Sequence, residues 1–197
     1  GIVTPLRTDS GYRKFSPVDL ERLRTALTLQ RDHYMPLARI REYLDELIGD
    51  TASYMRPSFW PTTHDILTPY MQFGGPAAWK LRAALAATLV PTYGIYAGYE
   101  LMESVARPGA QEQIDNEKYQ FKNRGWDDYL PGGLKEGQSI DWYLRRINEI
   151  RRAHPALEHL RNLRWHGVDD ENFLVFSKRR VLTDGSEDTI LVVANTD

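Results

Sequence analysis

Residues 57–100 read PSFWPTTHDILTPYMQFGGPAAWKLRAALAATLVPTYGIYAGYE, and residues 115–119 read DNEKY. Ser58-Phe59-Trp60 is a short apolar segment that runs into the polar Thr62-Thr63-His64-Asp65. Thr62 or Thr63 is placed to cap a following helix, with Asp65 near the positive end of its dipole. Gly74-Gly75-Pro76 restarts the chain as a longer helix, because proline is tolerated where its missing N–H would be unpaired anyway. Leu81, Leu85 and Leu89 form its apolar stripe, while Ala83, Ala84, Ala86 and Ala87 permit close packing. Pro91 ends it. A second short apolar segment, Tyr93-Gly94-Ile95-Tyr96, finishes at Gly98-Tyr99-Glu100. Strand, polar tip, helix, strand, polar tip is the sequence form of one repeat of a parallel β/α barrel, whose chemistry gathers at the C-terminal ends of its strands.

Downstream, residues 100–137 show little periodicity and are rich in Pro, Gly, Asn and Asp. A loop of that length in a compact domain is usually functional or disordered, and its place after a strand end puts it at the same face. Glu100 reads as a residue that orders this loop. Ser139 is the expected cap of a helix over 140–153, with Leu144, Ile147 and Ile150 inward and Pro155 as its stop. Phe173-Leu174-Val175-Phe176 and Ile190-Leu191-Val192-Val193 predict two strands, and Asp184-Gly185 a turn between them. His154, His159 and His166 lack metal-ligand spacing with carboxylates and read as structural.

Upstream, residues 1–48 differ in character. The stretch from Arg7 to Arg13 reads as a tight turn between short extended arms, with Gly11 able to take positive φ. Ser16-Pro17 starts a helix carrying Val18, Leu20, Leu23, Leu27 and Leu29. A second helix follows Pro36, with Leu37, Ile40, Leu44 and Leu47 on one stripe and Gly49 as its stop. Residues 49–55 form a polar junction, taken as the domain boundary.

Composition bounds the function. The chain has 197 residues, 42% hydrophobic and 26% charged, as expected of one or two soluble globular domains. Residues 81–90, interrupted by Arg82, are too short to span a bilayer, and no charged and apolar leader opens the chain. No membrane association is expected. Cysteine is absent, which excludes disulfides and thiolate metal sites and permits a cytoplasmic setting. The net charge is −2, so nothing pulls the whole chain towards nucleic acid.

Two resemblances follow from these motifs. His64-Asp65 and Pro91…Tyr96-x-Gly98-x-Glu100 resemble the endings of barrel strands seven and eight in the α-amylase superfamily. Asp65-Ile66-Leu67, Arg82-Ala83-x-Leu85-Ala86-Ala87-Thr88, Gly94-Ile95-Tyr96-x-Gly98-Tyr99-Glu100 and Glu117-Lys118-Tyr119, in that order, resemble its maltose-1-phosphate maltosyltransferase subfamily, from about Tyr54 onwards. Gly1-Ile2-Val3-x-Pro5, Gly11-Tyr12-Arg13-x-Phe15, Asp19-x-x-Arg22-Leu23 and Ile40-Arg41-x-Tyr43-Leu44 resemble the MerR-type winged helix-turn-helix regulators, without their recognition helix. The implied fold is α/β: a small winged-helix-like segment at 1–48, the last β/α units of a TIM-type (β/α)8 barrel at 56–155, and the start of a C-terminal antiparallel β-domain at 156–197. A fused reading frame accounts for two truncated resemblances meeting at 49–55 as well as a natural two-domain protein does.

The first resemblance implies transfer of maltose from maltose 1-phosphate to the non-reducing end of an α-1,4-glucan, with retention, no cofactor and no metal, in a homodimer. Such chemistry needs a carboxylate nucleophile with a carboxylic acid/base about 5–5.5 Å away. The family carries these on strands four and five, outside this chain, so the chain by itself is expected to be inactive. Asp65 matches the third carboxylate, which favours the distorted transition-state ring; the residues alone equally allow a helix-start aspartate. His64 matches a histidine that hydrogen-bonds sugar, although the subfamily often carries Asn-Thr-Pro-Asp where this chain has Thr62-Thr63-His64-Asp65; a structural histidine is the other reading. Lys118 and Tyr119 match residues that bind the distal glucose of the donor, where an ammonium and a phenol read hydroxyls; an exposed charged loop is the other reading. Glu117-Lys118-Tyr119 argues against a plain α-glucan hydrolase. The second resemblance implies that Arg7, Tyr12 and Arg13 approach DNA phosphates. Against it, residues 1–48 hold eight Arg and Lys beside seven Asp and Glu, which is no basic patch; a surface hairpin packed on two amphipathic helices fits the same residues.

Overall fold

The computed structural model describes residues 6–7, 13–14, 37–54, 56–114, 121–170 and 172–196. The chain divides into two compact units, residues 1–41 and 42–197. In the first, β1 (Leu6–Arg7) pairs antiparallel with β2 (Arg13–Lys14), in the register Leu6↔Lys14 and Arg7↔Arg13. This agrees with the expected extended arms; the turn expected between them lies outside the described residues. The helix expected from Ser16 lies outside the described residues. Helix α1 (Leu37–Ile48) follows Pro36 as its stripe predicts, and Leu44 and Leu47 of that stripe are buried.

The second unit holds a parallel strand pair, a helical layer and an antiparallel sheet. Strand β3 (Ser58–Phe59) pairs with β4 (Thr92–Tyr93) in parallel, Ser58 opposite Thr92 and Phe59 opposite Tyr93. Helices α2 (Pro69–Phe73) and α3 (Gly75–Leu89) connect them, which is the β/α crossover read from the sequence. The start of α2 differs from expectation. Neither Thr62 nor Thr63 caps it; Thr68 occupies the cap position and Pro69 the start. The intervening residues are taken up by bridges to a distant segment, so the helix cannot begin at Asp65.

Helix α3 buries Trp79, Ala83 and Ala87 in the core formed with α4 (Asp141–Ala153), together with Leu67, Met71, Tyr99, Ile140, Leu144 and Ile147. Leu85 and Leu89 are buried as expected, while Leu81 is half-exposed. The small alanines let the helices approach closely, and that approach decides which stripe is central. Trp79 and Tyr99 lock the centre. Trp79 Nε1 donates to the Met71 carbonyl at 3.0 Å, Tyr99 Oη donates to the Trp79 carbonyl at 2.5 Å, and the rings lie 4.7 Å apart. Desolvation of the buried Tyr99 phenol pushes its pKa well up.

Ser139 does not cap α4. Its hydroxyl donates to the Asp141 carboxylate at 2.5 Å, and Ile140 N–H instead donates to the Glu100 carbonyl at 2.8 Å. A tertiary main-chain bond thus stands where the local cap was expected, and the Glu100 carbonyl ties the loop to α4.

The chain closes with a three-stranded antiparallel sheet, β5 (Leu163–His166), β6 (Phe173–Val181) and β7 (Glu187–Asn195), in that order. The two expected strands extend beyond their apolar cores, and Gly185, at φ +83°, makes the turn. Strand β5 was not read from the sequence; its signal is the alternation Leu163-Arg164-Trp165-His166. His154 Nδ1 meets Asp188 Oδ1 at 2.7 Å and His166 Nε2 meets Ser177 Oγ at 2.8 Å. No helix among the described residues is long and apolar enough to cross a membrane.

Candidate functional site

The C-terminal ends of β3 and β4 lead into the two polar tips. Gly94 N–H donates to the Phe59 carbonyl at 2.9 Å, which extends the strand pairing by one rung. The Trp60 ring lies against Gly94, where an added Cβ would come within 2.3 Å of it. Only glycine allows that approach.

Beyond Trp60 the chain bends at Thr63. Its Oγ1 accepts the N–H of Asp65 at 3.3 Å and of Ile66 at 3.1 Å, a local turn that replaces helix capping. His64 Nε2 lies 3.1 Å from Asp65 Oδ1, and both side chains stay open, 43% and 57% exposed. Asp65 therefore stands on a strand-end loop and not at a helix start. The segment ahead of the Glu-Lys-Tyr motif folds back onto this loop. Ile66 bridges Glu112, Ala106 bridges Gln113, and Leu67 N–H donates to the Gln111 carbonyl at 2.9 Å. Gln113, buried, donates its N–H to the Asp65 carbonyl at 2.9 Å and its side-chain Nε2 to the Thr63 carbonyl at 3.0 Å. Lys118 and Tyr119 follow within 115–120, outside the described residues.

At the other tip, the Tyr96 ring lies 6.3 Å from the His64 ring. Arg124 donates to Tyr96 Oη at 2.9 Å, and its guanidinium stands 5.1 Å over the same ring. Glu103 Oε2 holds Arg124 Nε at 3.3 Å and Lys122 Nζ at 3.0 Å, with both cations largely covered. Gly98, at φ +96°, lets this happen: a Cβ there would lie 2.2 Å from Arg124 Nε.

The structure therefore brings His64 and Asp65 together and sets Tyr96 beside them. Sequence reasoning missed Gln113, Glu103, Lys122 and Arg124, which come from an aperiodic loop; the available signal was Gly98, a glycine inside a strand-end motif. Tyr12 lies outside the described residues, and Arg7 and Arg13 face each other in the β1–β2 register. Among the described residues, no three His, Cys, Asp or Glu side chains converge as a metal site would require. What does converge is an open carboxylate and imidazole at a strand end, backed by a phenol clamped by arginine. Such a set can exchange hydrogen bonds with a hydroxyl-rich ligand.

Comparison with known proteins divides along the chain. The model of the MerR HTH family regulatory proteins matches residues 1–47. The alpha-1,4-glucan:maltose-1-phosphate maltosyltransferase 2 of Streptomyces coelicolor is 49% identical over 159 residues, covering 80% of this chain and 22% of that enzyme. The maltosyltransferase of Arcanobacterium haemolyticum is 47% identical over 161 residues, again 80% of this chain and 22% of the relative. That of Bifidobacterium longum is 44% identical, over 80% of this chain and 21% of its own length. The chain spans about a fifth of the length of the curated relatives it matches. A match over 80% of the chain reaches upstream of residues 49–55, so the two similarities overlap on α1. This chain is thus similar to α-1,4-glucan:maltose-1-phosphate maltosyltransferases over most of its length and to MerR-type regulators over its first 47 residues.

Proposed function

We propose that residues 56–155 are the last β/α units of a (β/α)8 barrel, and that they carry part of the donor site of a retaining maltosyltransferase. The reaction moves maltose from maltose 1-phosphate to the non-reducing end of an α-1,4-glucan. The observation that supports this reading best is the return of the 105–114 segment onto Asp65, which stands open beside His64 at the strand end. Asp65 is the transition-state stabiliser: its carboxylate accepts sugar hydroxyls more strongly as the ring flattens and gains positive charge. His64, Lys118 and Tyr119 bind the donor sugars. Residues 156–197 open the β-domain that follows the barrel, the site takes no cofactor or metal, and the whole enzyme works as a cytoplasmic homodimer.

The chain by itself supplies one of three carboxylates and gives no turnover. Phosphate release from maltose 1-phosphate in the presence of glycogen should equal the buffer blank, and release above it would overturn this part. In a longer protein containing this stretch, Asp65→Asn should lower kcat about a hundredfold or more while changing KM only a few-fold. A rise in KM at constant kcat would move Asp65 to a plain binding role. Lys118→Ala should mainly raise KM.

The match over residues 1–47 favours a second reading for the N-terminal segment, in which Arg7, Tyr12 and Arg13 contact DNA phosphates. Phosphate contacts position a protein without specifying sequence. Binding should be weak, salt-sensitive and indifferent to sequence; a footprint on one operator that survives about 0.2 M salt would contradict this.

A further inference from the structure

A cavity of about 900 Å³ opens beside the start of β4, where Pro91 and Thr92 meet the end of β6 and the turn before β5. Among the described residues, four arginines line it, Arg56, Arg161, Arg179 and Arg180, and Glu158 is the one carboxylate in its wall. They arrive from three separate parts of the chain: the approach to β3, the turn before β5, and the end of β6. Arg151 adds positive charge behind the wall, since it donates to the Pro91 carbonyl at 2.7 Å.

Three of these arginines have partners among the described residues, and Arg161 has none. Arg56 donates to the Ala52 carbonyl at 2.5 Å. Arg180 meets Glu158 at 3.1 Å and Arg179 pairs with Glu187; these carboxylates are 64% and 49% exposed. Such open pairs are weak and yield readily to a stronger anion. Arg161 is exposed and makes no hydrogen bond or ion pair among the described residues. A roomy cavity with excess guanidinium and one free fork suits an oxyanion that takes several bidentate contacts at once.

We propose that this cavity binds a small phosphorylated ligand with two or more phosphate charges. It lies by the start of β4, whereas His64 and Tyr96 follow the ends of β3 and β4, so a ligand here leaves the strand-end site open. The inference does not depend on the function proposed for that site.

The probe is inorganic pyrophosphate, titrated calorimetrically into the full 197-residue chain at low salt. One saturable site is expected. Arg161→Ala should weaken binding about tenfold and Arg161→Ala with Arg180→Ala further, since each removes a charge-assisted fork. Arg161 has no partner to lose, so its removal leaves the fold intact, which the melting curve verifies. Arg145→Ala, on the exposed face of α4, should leave binding unchanged. Absence of saturable binding up to about 10 mM, a weaker range than specific sites show, would overturn the proposal. So would binding that Arg161→Ala leaves intact, or that Arg145→Ala weakens as much.

Discussion

The main-chain N–H of Gln113 donates to the carbonyl oxygen of Asp65 over 2.9 Å. Its buried side-chain amide also reaches the Thr63 carbonyl at 3.0 Å, so one loop residue holds both ends of the His64–Asp65 tip. Gln113→Leu leaves the Thr63 carbonyl without that donor. The expected cost is about 1–3 kcal/mol in urea unfolding, with faster amide exchange at Ile66 and Leu67. Unchanged exchange at these two amides would show that the tip holds itself.

Gly98 should tolerate no side chain. At φ +96°, with Arg124 2.2 Å from the ideal Cβ, Gly98→Ala adds backbone strain to a clash. We expect about 1–3 kcal/mol of destabilisation, together with release of Arg124 from Tyr96. Gly109→Ala is the control, since its φ of +72° is similarly unfavourable but nothing lies within 4 Å of the added Cβ. The excess cost of Gly98→Ala over Gly109→Ala, read from chemical denaturation, isolates the Arg124 contact.

Lys178 gives a pH dependence. It is fully buried on β6 with Nζ 3.4 Å from the Leu89 carbonyl, and desolvation, helped by the neighbouring Arg151 charge, pulls its pKa from 10.5 down to about 8. Between these values the unfolded chain binds a proton that the folded chain releases. Stability contributed by this group therefore rises with pH through that window, and the full cost of burying the ammonium is present below it. The difference in unfolding free energy between Lys178→Met and the parent should favour the variant near neutral pH and shrink by roughly 3 kcal/mol towards pH 11. A pH-independent difference would mean that Lys178 has the same pKa folded as unfolded, so that burial does not shift its titration.

Arg151 closes the C-terminal end of α3. It donates to the carbonyls of Ala87, Val90 and, at 2.7 Å, Pro91, and its guanidinium lies 4.9 Å over the Tyr93 ring. Its charge also favours the negative end of the helix dipole. Arg151→Leu strips the donors from these carbonyls and should cost about 2–4 kcal/mol by thermal or urea unfolding. Arg145→Leu, exposed on the same helix, should stay within about 0.5 kcal/mol.

Among the described residues strand β7 pairs only with β6, and its outward Leu191 and Val193 are 62% and 58% exposed. An apolar edge strand is a template for pairing. Leu191→Lys should lower self-association in sedimentation velocity while leaving the far-ultraviolet circular dichroism unchanged.

The sequence by itself determined the elements whose signals are local. The stripe Leu44–Leu47 after Pro36, the restart at Gly74-Gly75-Pro76, the stop at Pro91 and the Asp184-Gly185 turn each depend on a few neighbouring residues, so their reading matches the structure. The order of strand, helix and strand around His64-Asp65 was legible for the same reason. Tertiary structure alone decided what those elements do together. The fold moved Asp65 off a helix start because Gln113 claims its carbonyl, and it replaced Ser139 as a cap with the Glu100 carbonyl. It also assembled Tyr96, Arg124 and Glu103 from segments that share no periodicity. Contacts between residues far apart in the chain form only when packing makes them worth the entropy of closing the loop between them, and no local pattern records that balance.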